Sequence, residues 1–448
     1  MAPPEGINWT NRSVLDLAHR EDPVAVIERK ARDLVLQARD SGWQGPPFNP
    51  LVIADLLKIR VEANADIPDA RTISTNAGLK IQFNPTQARE RVRFSIAHEI
   101  AHTLFPDVAD ETRHRGGVNS TADDWQLEML CNLAAAEFVM PIGSLPARAR
   151  LPKIEELMVE RRKFDVSAEA FLIRVTKISI EPIIMFCASP ISDNGGIKSY
   201  RVDYTVPSKS APDFRIAGRS VPRQSVVFSC TAIGYSDERV EKWFSHDALT
   251  IECVGIPGYP GSRYPRVAGL IRFSENAVRE EAIKFVHGDV LDPRAAGIRV
   301  VCQLVNDQAR TWGGGVARSA AKKFPAAQRD FSTWITSVPR SERLGKVHFH
   351  EADKSTIIAS LVGQEGYGAS LFPRIRYAAV ERCLEQVTKL AAERSANVHM
   401  PRIGAGESGG SWDTIEEIVR DTLVAERIPV TVYDLPPKRM PEAAGLFD

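Results

Sequence analysis

The sequence predicts a multidomain chain of mixed class, α+β followed by α/β: a mostly helical N-terminal domain with a small sheet, a β-rich middle module and a C-terminal α/β/α domain. Three observations predict it. Helical periodicity dominates the first 190 or so residues, Gly/Pro/Ser-rich stretches break the chain at 189–215 and 255–267, and beyond about residue 280 short apolar runs alternate with amphipathic segments. A length of 448 residues suits two or three domains, with boundaries expected at 1–195, 196–280 and 281–440.

Composition narrows the function classes. With 44% apolar and 25% charged residues the chain is of ordinary globular type. Lys+Arg and Asp+Glu both number 57, so there is no net charge to coat a polyanion and direct nucleic-acid binding is not indicated. No apolar run reaches the ~18 residues of a membrane span, so no membrane partner is expected. The start, "MAPPEGINWTNRS", lacks the basic-then-apolar pattern of a secretory signal, and the expected location is cytoplasmic. Cys131, Cys187, Cys230, Cys253, Cys302 and Cys383 are scattered without a CxxC pair. They read as small buried apolar residues rather than a disulfide framework or a thiolate zinc site. No repeat of 20–50 residues points to a solenoid.

The elements follow in order. "PVAVIERKARDLVLQARDSG" (23–42) and "LVIADLLKI" (51–59) read as amphipathic helices and "GLKIQFNP" (78–85) as a strand. The next helix is expected from about residue 85, with Asn84 as cap and Pro85 in the first position. Short helices are expected over 145–179, and strands at "SVVFSCTAIGY" (225–235) and "LTIECVGI" (249–256). In the last third, 298–306, 355–363, 396–404 and 428–435 read as buried strands, and 377–395 and 412–427 as helices. That alternation is the mark of α/β layers.

Chemistry concentrates first in "RFSIAHEIAH" (93–102). On a helix, His98 and His102 lie one turn apart on one face and can hold one metal ion through neutral ring nitrogens. Glu99, turned about 100° from His98, is placed to act on a water at that ion rather than as a ligand. A helix with two incidental histidines is the plain alternative. Against it stands "DDWQLEMLCNLAAAEFVMP" (123–141), where Glu128 sits among apolar residues and a carboxylate is costly to bury without a positive partner. Asn132, four residues on, could orient that carboxylate.

"FSIAHEIAHTLFP" followed by "EMLCNLAAAEFVMP" resembles the ImmA/IrrE metallopeptidases, over about residues 25–190. The resemblance implies a zincin-like fold, one zinc per chain held by His98, His102 and Glu128, and Glu99 as general base. It also implies a protein or peptide substrate, such as a transcriptional regulator in stress or phage-related control. His114, in the polar segment between the motifs, could be a substrate or catalytic contact, although an exposed loop histidine is the plainer reading. The strand 78–84 could hold a peptide by edge pairing.

The last third carries "FVHGDVLDP" (285–293), "VNDQARTWGGGVARSAAKKFP" (305–325) and "MPRIGAGESGGSW" (400–412). Glycine runs between a strand and a helix let backbone amides approach a phosphate. Two of them at strand ends make a convergent anion site. These segments, with "VTVYDLP" (430–436), resemble a macro domain, the ADP-ribose-binding fold. The resemblance implies adenine contact at Asp289 and Val290. It places Asn306 and the loop Trp312, Gly313, Gly314, Gly315 and Val316 near the distal ribose. Gly404, Ala405, Gly406, Glu407 and Gly409 would wrap the diphosphate. Where the terminal ADP-ribose glycohydrolases use a Lys and an Asp, this chain has Gln364 and Ser408. "TWGGGVA" also resembles yeast-type ADP-ribose-1″-phosphate phosphatases, which leaves Asn306 or Asp307 as candidate hydrolytic groups. Asp307 could equally be a turn residue. Three functions follow: a zinc endopeptidase governed by a macro domain that binds ADP-ribose or an ADP-ribosylated protein; an ADP-ribosyl hydrolase or phosphatase with a partner-binding zincin part; and a non-catalytic regulator.

Overall fold

Asp22 caps the first long helix by accepting the Ala25 N–H at 3.0 Å, and Pro23 follows where its missing N–H costs nothing. The computed structural model that contains this helix describes residues 9–76, 78–108, 113–114, 123–146, 150–193, 196–244, 246–258, 262–273, 283–293, 295–368, 370–406 and 408–434. The chain divides into two units, Met1–Arg279 and Glu280–Asp448.

In the first unit, α1 (Arg12–Ala18), α2 (Pro23–Asp40) and α3 (Leu51–Leu56) lead into β1 (Arg60–Ala63), β2 (Ala70–Thr75) and β3 (Gly78–Phe83). With β4 (Arg113–His114) these form a sheet of order β1-β3-β2-β4. β3 pairs parallel with β1 and antiparallel with β2. It is therefore an interior strand, and the expected edge pairing of a peptide on 78–84 is corrected: its backbone groups are already used by two neighbours.

α4 (Arg89–His102) and α5 (Asp124–Val139) pack together, followed by α6 (Ile154–Arg161) and α7 (Ala168–Ile178). α4 starts at Arg89, not at 85. Asn84 is spent in a turn instead. Its Oδ1 accepts from the Thr86 N–H at 2.9 Å and the Thr86 hydroxyl at 2.7 Å, and its Nδ2 donates to Ile67 O at 2.7 Å.

A second sheet, wholly antiparallel, has the order β6-β5-β9-β8-β7. Its strands are β5 (Ile183–Asp193), β6 (Gly196–Pro207), β7 (Ser236–Trp243), β8 (His246–Ile256) and β9 (Arg266–Arg272). The stretch 189–200, read as a linker, is the paired ends of β5 and β6, joined from Ile184↔Pro207 to Asp193↔Gly196. The strand expected at 225–235 is a 3₁₀ turn, Val226–Ser229, started by the Ser225 hydroxyl accepting from Val227 N–H. Val226, Val227 and Cys230 still fill the core with Phe186, Tyr200 and Trp243, and an apolar run can do that without strand geometry. Two buried guanidiniums join this sheet to the helices. Arg266 meets Glu169 of α7 at 2.7 Å. Arg272 meets Glu252 at 2.6 Å and Glu181 at 2.8 Å. The six cysteines are free and buried.

The second unit runs β10 (Ile283–His287), β11 (Arg299–Asn306), α8 (Gly315–Lys323), α9 (Pro325–Ser337), β12 (Val347–Glu351), β13 (Thr356–Gln364), α10 (Tyr377–Arg394), β14 (Asn397–Pro401), α11 (Trp412–Val419) and β15 (Val430–Asp434). Its sheet has the order β10-β15-β14-β11-β13-β12 and is parallel except for β12 on β13. β13 is buried along nearly its whole length, which suits the continuous apolar run of a strand covered on both faces. α8 and α9 bury Ala320, Ala327, Phe331 and Ile335 against Val301, Val305, Ile358 and Val362. The chain is thus a multidomain α+β protein with a C-terminal α/β layer domain. Among the described residues no helix is long and apolar enough to cross a membrane.

One buried base in this unit has a consequence for acid stability. His399 on β14 is 1% exposed, and its Nδ1 meets the Tyr433 hydroxyl at 3.1 Å. Burial, helped by the nearby Arg299 charge, pushes its pKa down to about 4. The neutral ring is the folded form, so its stabilisation is present above the unfolded pKa of about 6.5 and is lost as pH falls toward 4. Chemical denaturation of the full chain at pH 7.5 and 4.5 is expected to show the second unit weakening in acid, and to a smaller extent in His399→Phe.

Candidate functional site

The site in the first unit is made where α4 lies along α5. His98, Glu99 and His102 are 0%, 0% and 1% exposed. The helix brings His98 Nε2 and His102 Nε2 to 3.1 Å. Glu128 reaches across from α5, with Oε2 3.0 Å from His98 Nε2 and Oε1 3.5 Å from His102 Nε2. Donors at ~2.0–2.1 Å from a tetrahedral zinc lie about 3.3 Å apart, so the three separations are the edges such a site needs. His98, Glu99 and His102 also place ligand-capable atoms within 4.8 Å of one another. Two carboxylates, Glu99 on α4 and Glu128 on α5, therefore stand within reach of the paired imidazoles.

The far side of each ring is also met. Asn132 Oδ1 accepts from His98 Nδ1 at 3.0 Å, and Cys131 Sγ lies 3.4 Å from His102 Nδ1. An acceptor at His98 Nδ1 leaves the lone pair on His98 Nε2. This corrects the expected role of Asn132: it orients an imidazole, not Glu128, because the asparagine one turn further along α5 faces α4. Burial pushes the Glu128 carboxyl up, but hydrogen bonds from His102 and His98 outweigh it and hold the group well below the usual carboxylate range. The Glu128 side chain is still 35% exposed, so the metal position is reachable from solvent.

α4 itself is pinned at several points. Asp69 accepts from the Ser95 hydroxyl at 2.6 Å and from Arg91 at 2.9 Å. Arg93 donates to Phe164 O at 3.2 Å and to the Phe48 carbonyl. From β2, the Thr72 hydroxyl donates to Glu99 Oε2 at 2.8 Å. Thr72, Asp69 and Cys131 were not foreseen. The one signal for Thr72 is alternation in "ARTIST", which puts Ala70 and Thr72 on the buried face of β2. Of His114 only the backbone is described, paired with Arg71. Residues 109–112 and 115–122 lie outside the described residues.

In the second unit the glycine loops follow β11 and β14, which are neighbours in the sheet, so both open at the same sheet end. Gly404 is required by its own backbone: φ is +72°, and a Cβ there would come 2.3 Å from Ile375 Cδ1. Gly313 and Gly406 are different. Neither has a left-handed φ, and a Cβ would meet nothing within 4 Å, so the open space in front of them is what a ligand backbone approach would use. Gly314 precedes α8, which begins at Gly315, and Val316 is half-buried in its first turn. Ala405 is half-buried and Gly409 exposed, with φ +70°; Glu407 lies outside the described residues. Asp289 is exposed just past β10 and accepts from Leu291 N–H at 2.9 Å. Asn306 accepts from Gln308 N–H at 3.0 Å. Val290 and Trp312 are buried in the core, 3% and 4% exposed.

Asp307 is a tie. One oxygen accepts from Gly366 N–H at 2.7 Å and the other from Arg340 at 3.1 Å. Gln364 and Ser408 meet directly, the Ser408 hydroxyl donating to Gln364 Oε1 at 2.7 Å.

A helix-borne His-Glu-x-x-His facing a carboxylate from the next helix is the arrangement found in zincin-type sites, and glycine loops at the ends of adjacent parallel strands are an arrangement suited to anions. Residues 63–176 match the family described as Peptidase_M78, IrrE N-terminal-like domain. The C-terminal region is similar to a macrodomain protein from Streptomyces coelicolor, at 31% identity over 34% of this chain and 99% of that one, with a TM-score of 0.30. The chain is also 26% identical over 146 residues to an ADP-ribose 1''-phosphate phosphatase from Lodderomyces elongisporus, covering 31% of this chain and 90% of the relative. It is 28% identical over 163 residues to chromodomain-helicase-DNA-binding protein 1-like from Mus musculus, covering 35% of this chain and 18% of that protein. Of the Danio rerio counterpart it spans 16%. The chain thus combines a region that matches the IrrE N-terminal-like model of the M78 peptidases with a C-terminal region similar to macrodomain proteins.

If Asn132 sets the His98 tautomer, Asn132→Ala weakens zinc binding about 10- to 100-fold, measured by competition with a chromogenic chelator. Unchanged affinity would show that the contact is incidental.

Proposed function

We propose that the chain is a zinc-dependent endopeptidase whose macro domain binds ADP-ribose or an ADP-ribosylated protein and so recruits substrate or regulates cleavage. The peptidase domain would span 1–195, the linking module 196–280 and the macro domain 281–440. The proposed setting is the cytoplasm, and the proposed substrate is a protein such as a transcriptional regulator in stress or phage-related control. The observation that carries the reading is the convergence of His98 Nε2, His102 Nε2 and Glu128 at separations of 3.1, 3.0 and 3.5 Å. These residues would hold one zinc ion. When bound, zinc supplies Lewis acidity to the scissile carbonyl and makes a water acidic near neutrality. Asn132 and Cys131 keep the ring nitrogens aimed inward. Glu99 takes the proton from water and delivers it to the leaving amine.

In the macro domain, Asp289, Val290, Asn306, the loop 312–316 and the residues 404–407 and 409 are the proposed ADP-ribose contacts. The phosphatase relative favours an ADP-ribose-type ligand. The second reading, an ADP-ribosyl hydrolase or ADP-ribose-1″-phosphate phosphatase with a partner-binding zincin part, draws on the same relative. Recognition is favoured over hydrolysis because Asp307 is committed to Gly366 and Arg340 and because Gln364 and Ser408 hold each other.

Glu99→Gln is expected to keep one zinc per chain and to cut cleavage of a proteome-derived peptide library, read by mass spectrometry, by about 10²- to 10⁴-fold. Full cleavage by that variant would remove the peptidase reading. Gly313→Val should fold like the parent, since its side chain enters open space, yet lose at least about tenfold in ADP-ribose affinity by calorimetry. Release of ADP-ribose from a modified protein would favour the second reading.

A further inference from the structure

We infer that Thr72 is the positioning residue for Glu99, an inference that rests on the peptidase reading above. The Thr72 hydroxyl donates to Glu99 Oε2 at 2.8 Å and also approaches the Glu99 main-chain oxygen at 3.3 Å. That carbonyl lies in the last turn of α4, where the Thr103 N–H goes to Ile100 O instead. One hydroxyl therefore holds both ends of the same residue.

Thr72 is itself immobile. It is 1% exposed, and on β2 it pairs with Ile81 of β3 and Arg113 of β4. Its branched Cβ restricts χ1. A glutamate has several soft torsions, and a general base works only within hydrogen-bond reach of the proton it takes. The two imidazoles are set by their spacing on α4 and by Asn132 and Cys131 of α5 behind their rings; the Glu99 carboxylate, on a three-bond stem, needs an anchor of its own. The sheet provides it, through the hydrogen bond from the Thr72 hydroxyl to Glu99 Oε2. The direction of the Glu99 carboxylate is thus fixed by the sheet-to-helix packing and not by α4 itself. Thr72 touches no reacting atom in this scheme. Its effect passes wholly through Glu99.

The test uses the full zinc-loaded chain carrying Thr72→Val or Thr72→Ser, with a peptide taken from the cleaved members of a proteome-derived library. Valine keeps the shape and removes the donor. The expected result is a fall in kcat of about 10- to 100-fold, with KM and zinc content within about twofold of the parent, and recovery by serine. A second readout needs no turnover. In the zinc-free chain, the loss of unfolding stability caused by Thr72→Val should shrink when Glu99 is already alanine. Wild-type kcat in Thr72→Val, loss of zinc in that variant, failure of serine to restore it, or an equal stability cost with and without Glu99 would each overturn the inference. Failures of the two readings are separable. If Glu99→Gln cleaves normally, or the parent cleaves nothing, the peptidase reading falls and this one with it. If Glu99→Gln is inactive and Thr72→Val is not, only the role of Thr72 falls.

Discussion

The first unit depends on the packing of α4 against α5, because that contact must accommodate three consecutive-turn polar side chains with almost no exposure. Burying His98, Glu99 and His102 is costly unless each finds a partner. The fold meets the cost from three directions. α5 contributes Glu128, Cys131 and Asn132, β2 contributes Thr72, and the start of β2 contributes Asp69, which fixes α4 through Ser95 and Arg91. Polar groups partnered from several elements inside a core favour one arrangement. The same logic governs the guanidiniums of Arg266 and Arg272 under the second sheet, where each charge removed from water faces a carboxylate.

The macro domain places its polar groups differently. Its strands bury a few polar groups, such as His399 and the Gln303–Ser360 pair, among apolar residues from Val301 to Ile358, and further polar side chains lie in loops beyond the strand ends. There the side chains mostly hold backbone to backbone. Asp307, Gln364 and Ser408 tie the turns after β11, β13 and β14 to one another, which leaves backbone amides and glycine surfaces to face a ligand. Main-chain groups of that kind do not titrate, so a ligand held by them would be read by shape and charge.

Local patterns were legible in the sequence to the extent that local physics decides them. The i, i+4 histidines, the amphipathic helix from Pro23 and the alternating strands and helices of the last third depend on periodicity, and all appear as expected. Asn84 misled because a side chain that can cap a helix can equally close a turn, and the choice was made by Thr86 and Ile67. The run at 225–235 misled because apolar content reports burial, not backbone shape. The interior position of β3 and the hold of Thr72 on Glu99 come from strand order and pairing across tens of residues, which no window of sequence carries. Asn132 was singled out correctly but given the wrong partner, since spacing along one helix says nothing about the helix that faces it.

Glu128, Cys131 and Asn132 occupy a single turn and a half of α5, so the outer wall of the metal position moves as one rigid piece. Sliding that helix by one residue would withdraw a ligand and both ring supports together, and no side-chain rotation could compensate. On the reading proposed above, affinity for a bound ion would therefore report the register of α5.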